Sequence, residues 1–293
     1  LELSNLENLK TFTPQYCDSI EEIDILSVAL ENFKVSGKNR LKEITLSCAE
    51  LKNFTVLNCN SLTALDFAEC QNLTTLEVVG CASLVSESFA SLEGITALES
   101  VTVSQCPNVY GFSLADKPNL TVLNLSYLNS LTSLSLSNFS KSTRIYLPSK
   151  LSGLRSLTLT GLARAQFDSD TLNISHGVLS SVRINNVPFI KINLCDNVLA
   201  SISISGIKNL QEIDLSNNRI TNIDAVMSLL ATSEQLSVVN LNNNRIDFSK
   251  GDALKSLKTG TYAHCVVLGL QNAINNNKYT YEPKIYYGGT GIR

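Results

Sequence analysis

Leu51, Leu62, Leu73 and Leu84 stand eleven residues apart. The stretch between them reads LKNFTVLNCNS, LTALDFAECQN and LTTLEVVGCAS. Each block has the same spelling: an apolar residue, an apolar anchor three positions on, another apolar residue two later, then cysteine. A fixed period constrains the fold more than any local propensity. One short unit cannot bury its apolar face alone, so copies must stack on one another.

The anchors continue through most of the chain, from Phe12, Ile23, Phe33, Ile44 and Phe54 to Ile192, Ile202, Ile213, Ile223 and Val239. Most are followed two positions later by a second apolar residue, as in Val35, Leu46, Val56 and Phe67. Pairing at i and i+2 is strand periodicity, with both side chains on one face. The Thr, Ser, Asn and Lys between them leave the other face wet.

The position five after the anchor separates two kinds of block. Alternate blocks from Phe12 carry Cys17, Lys38, Cys59, Cys81, Cys106, Leu128, Lys150, Gly177, Asn197, Asn218 and Asn244 there. The other blocks carry Val28, Ala49, Cys70, Lys117, Phe139, Leu162, Val187 and Ile207. The repeat is therefore two blocks with unlike arms, about 21 to 22 residues long. It predicts that Phe54 and Leu76 lie in adjacent strands of one sheet and that Leu65 lies outside that sheet.

Three stretches interrupt the spacing. The segment VSESFASLEGITA after Leu84 predicts a short helix with Ser86 as its N-cap. Ala163 to Asp170 reads as an irregular loop. IDAVMSLLATSEQL reads as a helix with Ile223, Val226, Leu229 and Leu230 on one face. Beyond Lys250 the pattern decays. Ala253, Leu254 and Leu257 suggest a last helix, Val266 to Leu268 a last strand, and the Tyr- and Gly-rich remainder of 251–293 a cap or the start of a linker.

The spelling LxxLxLxx(N/C)xL resembles the leucine-rich repeat. Leu210-Gln-Glu-Ile-Asp-Leu-Ser-Asn-Asn218-Arg-Ile220 and Leu236-Ser-Val-Val-Asn-Leu-Asn-Asn-Asn244-Arg-Ile246 match it position by position. The resemblance spans residues 1–250. It implies an α/β solenoid: a leucine-rich repeat right-handed superhelix with a parallel concave sheet, mostly extended back arms and a few short back-side helices. About eleven to twelve turns would extend roughly 50 to 60 Å at the ~4.8 Å strand spacing. Cys17, Cys59, Cys81, Cys106, Asn197, Asn218 and Asn244 would form a structural Asn/Cys ladder. Asn offers an amide to backbone groups at the corner, and Cys fills the same slot as a weaker donor.

Composition narrows the function classes. A net charge of −3 and a pI near 5.5 leave no basic footprint for nucleic acid. No run approaches the ~20 apolar residues of a membrane helix. The chain begins at Leu1, already in repeat phase, which reads as a fragment or processed chain. The eight cysteines follow the repeat and contain no CxxC pair, so they read as free, buried side chains, with neither zinc nor any other metal or cofactor expected. The carboxylates of Asp168 and Asp170 are too few for calcium. Gly288 to Gly291 lacks the Lys-Ser/Thr of a phosphate loop. Neither His176 nor His264 sits in a motif with a nucleophile, so no enzyme is expected.

One cluster departs from the small polar surface. Tyr127, Arg144, Tyr146 and His176 come from three consecutive turns, and Tyr and Arg are enriched in binding hot spots. They form the expected ligand-binding patch. The alternating LTALDFAEC and LTTLEVVGC blocks resemble leucine-rich repeat proteins of bacterial cell surfaces, with internalin-type arrays near the C-terminal end. That resemblance implies a non-enzymatic, extracellular or cell-surface module for adhesion or host recognition, with a protein or carbohydrate ligand on the concave face. Two alternatives stay open. One is an intracellular substrate adaptor, suggested by the 25-residue turn from Cys81 to Cys106 and the unpaired cysteines. The other is a stalk that presents another domain.

Overall fold

The computed structural model describes residues 1–246, apart from 5, 28 and 223, and residues 266–268. The last helix and the cap or linker expected within 251–293 lie outside the described residues, as do His264 and Cys265. The chain divides into two compact units, Leu1–Leu151 with Arg164–Asp168, and Ser152–Ala163 with Ser169–Arg293. Each is a parallel β-solenoid.

In the first unit, an eight-stranded parallel sheet takes one strand from each turn: Thr11–Phe12, Asn32–Ser36, Asn53–Leu57, Thr75–Val79, Ser100–Ser104, Val122–Asn124, Arg144–Tyr146 and Gln166–Phe167. Phe33 pairs with Phe54, Phe54 with Leu76, Leu76 with Val101, and Val101 with Leu123. The anchors therefore stack without a slip. Leu65 pairs with Ile44 in a different, four-stranded sheet of Glu2–Ser4, Glu22–Leu26, Glu43–Ser47 and Ala64–Asp66. The predicted separation of Phe54 and Leu76 from Leu65 holds.

The back arms are more ordered than expected. They hydrogen-bond to one another as further parallel sheets: the four strands just named form one, and Gly111–Ala115 and Ser133–Ser137, in register from Gly111 with Ser133 to Ala115 with Ser137, belong to another. Turns stacked at strand spacing bring both arms within hydrogen-bonding reach, so an extended arm becomes a strand. The stretch read as an irregular loop also contains a strand, Gln166–Phe167, which pairs with Arg144 and Ile145. Two residues are too few for periodicity to reveal.

The segment after Leu84 forms the expected short helix, a 3-10 helix over Ser86–Gly94, but Ser86 does not cap it. Val85 is its N-cap, with no side-chain cap. Ser86 Oγ instead accepts the Tyr110 and Gly111 N–H groups, at 3.0 and 2.8 Å, tying this turn to the next.

The second unit repeats the plan. Ser156–Thr160, Ser181–Asn185 and Ser203–Ser205 form one parallel sheet. Thr171–Asn173, Lys191–Asn193, Glu212–Asp214, Val238–Asn240 and Val266–Leu268 form another. Helix α1, Asp224–Thr232, falls where the apolar spacing changes from two to three and four. Asn222 Oδ1 accepts the Asp224 N–H at 2.7 Å, and Val226, Leu229 and Leu230 are buried.

The core of the first unit lies between its eight-stranded sheet and the strands of its back arms. Burial alternates along the strands, as in Glu22–Leu26. Phe33, Phe54 and Phe67 are sealed from solvent. Phe33 meets Phe54 edge-on at 5.4 Å, and Phe54 meets Phe67, just past the opposite sheet, at 5.4 Å. Each such side chain contributes about 1.5–3 kcal/mol by burial. The strand-to-corner transition requires a left-handed residue, which explains the recurring Asn: Asn58, Asn138, Asn186, Asn217 and Asn243 all have φ near +55°. Gly37 and Gly80 take the same conformation without a Cβ penalty.

Candidate functional site

The long sheet of the first unit presents a row of part-exposed side chains in register. Thr55 stands opposite Glu77, Glu77 opposite Thr102, Thr102 opposite Asn124, and Asn124 opposite Tyr146. All five are half-buried, with neighbours separated by a strand spacing of ~4.8 Å. Arg144 lies on the same strand as Tyr146 and is exposed. Tyr127 follows the neighbouring strand and is 60% exposed. The Leu125 N–H donates to the Tyr146 carbonyl at 2.8 Å and pins the corner leading to Tyr127. Tyr127, Arg144 and Tyr146 thus share adjacent turns of the first unit. His176 belongs to the second unit.

His176 has its own surroundings. Its Nδ1 lies 2.8 Å from Asp196 Oδ2. Cys195 Sγ donates to the same carboxylate oxygen at 3.4 Å. A ring nitrogen of His176, the thiol and the carboxylate all lie within 4.8 Å of one another. The backbone holds this arrangement in place. The His176 N–H donates to the Cys195 carbonyl and the Gly177 N–H to the Asp196 carbonyl, each at 3.0 Å. The Asp196 N–H donates to Ser216 O at 3.0 Å, and the Cys195 N–H to Asn193 Oδ1 at 3.1 Å. His176 and Asp196 occupy the left-handed corner position of successive turns, with φ of 55° and 53°.

Burial, then the hydrogen bond and charge of Asp196 and the charge of Asp214, push the Cys195 thiol up to about 11. A nucleophilic cysteine needs the opposite shift. At neutral pH this thiol keeps its proton, so the constellation does not supply a reactive thiolate by itself.

The ladder residues differ in how they close the corners. Asn218 donates to the Leu194, Leu215 and Ser216 carbonyls at 2.9, 3.1 and 3.1 Å, and its Oδ1 accepts the Leu199 N–H at 3.0 Å. Asn197 serves Ile174, Leu194 and Cys195 carbonyls and the Leu179 N–H in the same way. Asn244 repeats the pattern half-buried, donating to Leu215 O at 2.8 Å and accepting the Ile220 N–H. Cys59, Cys81 and Cys106 each donate to a carbonyl two residues earlier, at 3.6, 3.8 and 3.3 Å. Cys17 bonds Gln15 O but is exposed, so the expectation of buried cysteines fails at the chain's edge. The seven described cysteines are free thiols, and Cys195 is only part-buried.

Cys195 and Asp196 were not singled out by the sequence. They lie 19 and 20 residues from His176. The available signal was that distance, close to one repeat, because residues one turn apart become neighbours.

Among the described residues, no helix is long and apolar enough to cross a membrane. No known family model matches the chain, and no curated protein matches it in sequence.

Proposed function

We propose that the turns are leucine-rich repeats and that the protein is a non-enzymatic ligand-binding module. In this reading the long sheet of the first unit is the concave recognition face. The observation that carries it is the in-register row from Thr55 to Tyr146, flanked by Arg144 and the exposed Tyr127. Such a row offers hydrogen-bonding groups at a regular spacing and ends on two aromatic rings beside a cation. That arrangement suits a protein segment or a carbohydrate, whose hydroxyls and ring faces use the same contacts. A secreted or surface-attached role in adhesion or host recognition accords with the repeat spelling.

The free thiols favour a second setting, an intracellular adaptor, in which the same sheet would receive a protein partner. The binding reading is tested by screening the full chain against arrays of extracellular proteins and glycans, then measuring a recovered ligand against the Tyr127→Ser/Tyr146→Ser double variant. Affinity should fall at least about tenfold. Unchanged affinity in a folded double variant would remove the row from the binding surface.

A further inference from the structure

We propose that His176, Cys195 and Asp196 form a three-ligand site for a borderline-soft divalent transition metal, with zinc(II) the first choice. The site is independent of the sheet row and lies wholly within the second unit.

The ligand set is mixed: imidazole nitrogen, thiolate sulfur and carboxylate oxygen. Imidazole and thiolate select zinc and its neighbours over magnesium and calcium, which take oxygen alone. The spacing fits. Tetrahedral zinc at its usual bond lengths places a nitrogen and an oxygen ligand about 3.3 Å apart, and a sulfur and an oxygen ligand about 3.5 Å apart. Here the two separations are 2.8 and 3.4 Å. A metal entering the cluster opens the His176–Asp196 pair by about half an ångström and draws the thiol and imidazole, which lie within 4.8 Å, towards the ~3.5 Å that zinc sets, adjustments that side-chain rotation can make. The cross-turn bonds from His176 and Gly177 to the Cys195 and Asp196 carbonyls hold the three residues close before any ion arrives.

The His176 side chain is 75% exposed and that of Asp196 35%, which leaves solvent access for entry and a fourth position for water. Three protein ligands with one open position is an ordinary zinc arrangement. On binding, the Cys195 S–H bond breaks, the S–metal bond forms, and the proton passes to solvent.

The test uses the full, reduced, metal-free chain titrated with cobalt(II) alone. The expected result is one ion bound per chain, a sulfur-to-cobalt charge-transfer band, and displacement by zinc(II). Cys195→Ser should abolish the band. His176→Asn and Asp196→Asn, which keep side chains suited to left-handed backbone, should weaken binding at least about tenfold. Cys17→Ser, which removes the exposed thiol, should leave the titration unchanged. A band that survives Cys195→Ser, or an affinity that ignores both Asn variants, overturns the site. Should a variant fail to fold, the unaltered chain still decides. Zinc(II) should slow alkylation of Cys195, mapped by mass spectrometry, and equal rates with and without zinc overturn the proposal.

Discussion

Asn218 and Cys81 occupy equivalent ladder positions, and replacing each by alanine separates what amide and thiol contribute. Asn218 is buried and makes bonds to three carbonyls and one N–H. Its two amide hydrogens are shared among the carbonyls, so Asn218→Ala removes about three bonds' worth of pairing. At about 1 kcal/mol each, with a further penalty of about 1–3 kcal/mol for the Leu199 N–H left buried without its acceptor, the loss is about 4–6 kcal/mol. Cys81 is fully buried; it makes one long bond, 3.8 Å to Val79 O, and its thiol also meets that of Cys106. Cys81→Ala removes one sulfur atom and those weak contacts, a loss of about 1–2 kcal/mol. Urea denaturation of the full chain followed by circular dichroism should show the difference. Because each turn contacts only its neighbours, amide exchange should localise it, with Leu199 losing protection in Asn218→Ala. Equal losses within about 0.5 kcal/mol would refute the argument that the amide closes the corner.

Further outcomes follow from the same packing. Phe54→Ala empties the centre of the Phe33–Phe54–Phe67 stack and should cost about 3–5 kcal/mol in the same denaturation assay. Gly80→Asn should destabilise more than Gly37→Asn: both place a side chain on left-handed backbone, but at Gly80 the Asn58 amide must also move aside, whereas a Cβ at Gly37 meets nothing within 4 Å; thermal melts compare the two. Burial raises the Cys70 thiol to about 12, so the fold favours its protonated form. Its contribution is full below the ordinary thiol value of about 8.5 and is lost as pH rises towards 12. Cys70→Ala should therefore flatten the alkaline fall in stability measured by urea titration across that window.

Much of the fold is legible because the repeat makes each residue's neighbour predictable. Phe54 and Leu76 share a sheet and Leu65 does not, as the unlike columns required. The pairing of the back arms was less legible. Ile44 and Leu65 carry strand periodicity, but whether two arms pair depends on the height of each turn, which no side chain spells out. Ser86 shows the limit of cap rules. Its oxygen is captured by N–H groups from the next turn, at Tyr110 and Gly111, and a local reading cannot see that competitor. At the candidate surface, Arg144 and Tyr146 could be placed together because they share a strand. His176 could not be assigned its true partners, because Cys195 and Asp196 become visible only when the corner positions are superimposed.

That difference points to where a repeat protein can carry specific chemistry. The buried columns are bound by packing. An apolar anchor must remain apolar, and its neighbour two residues on must face the same core. The corner position is bound only by backbone conformation, left-handed and close to solvent, and several side chains satisfy it: Tyr16, Asn58, Gln105, His176, Asp196 and Asn217 all do so. A histidine there costs the fold little more than an asparagine. Stacking then places it beside the corner of the next turn, where Asp196 sits in the same conformation and Cys195 precedes it. Two residues at permissive corner positions one turn apart, with the cysteine that precedes the second, are thus enough to bring three ligand types within 4.8 Å. The same logic explains why the surface row is built from residues between the anchors, since those positions are also free of the packing constraint.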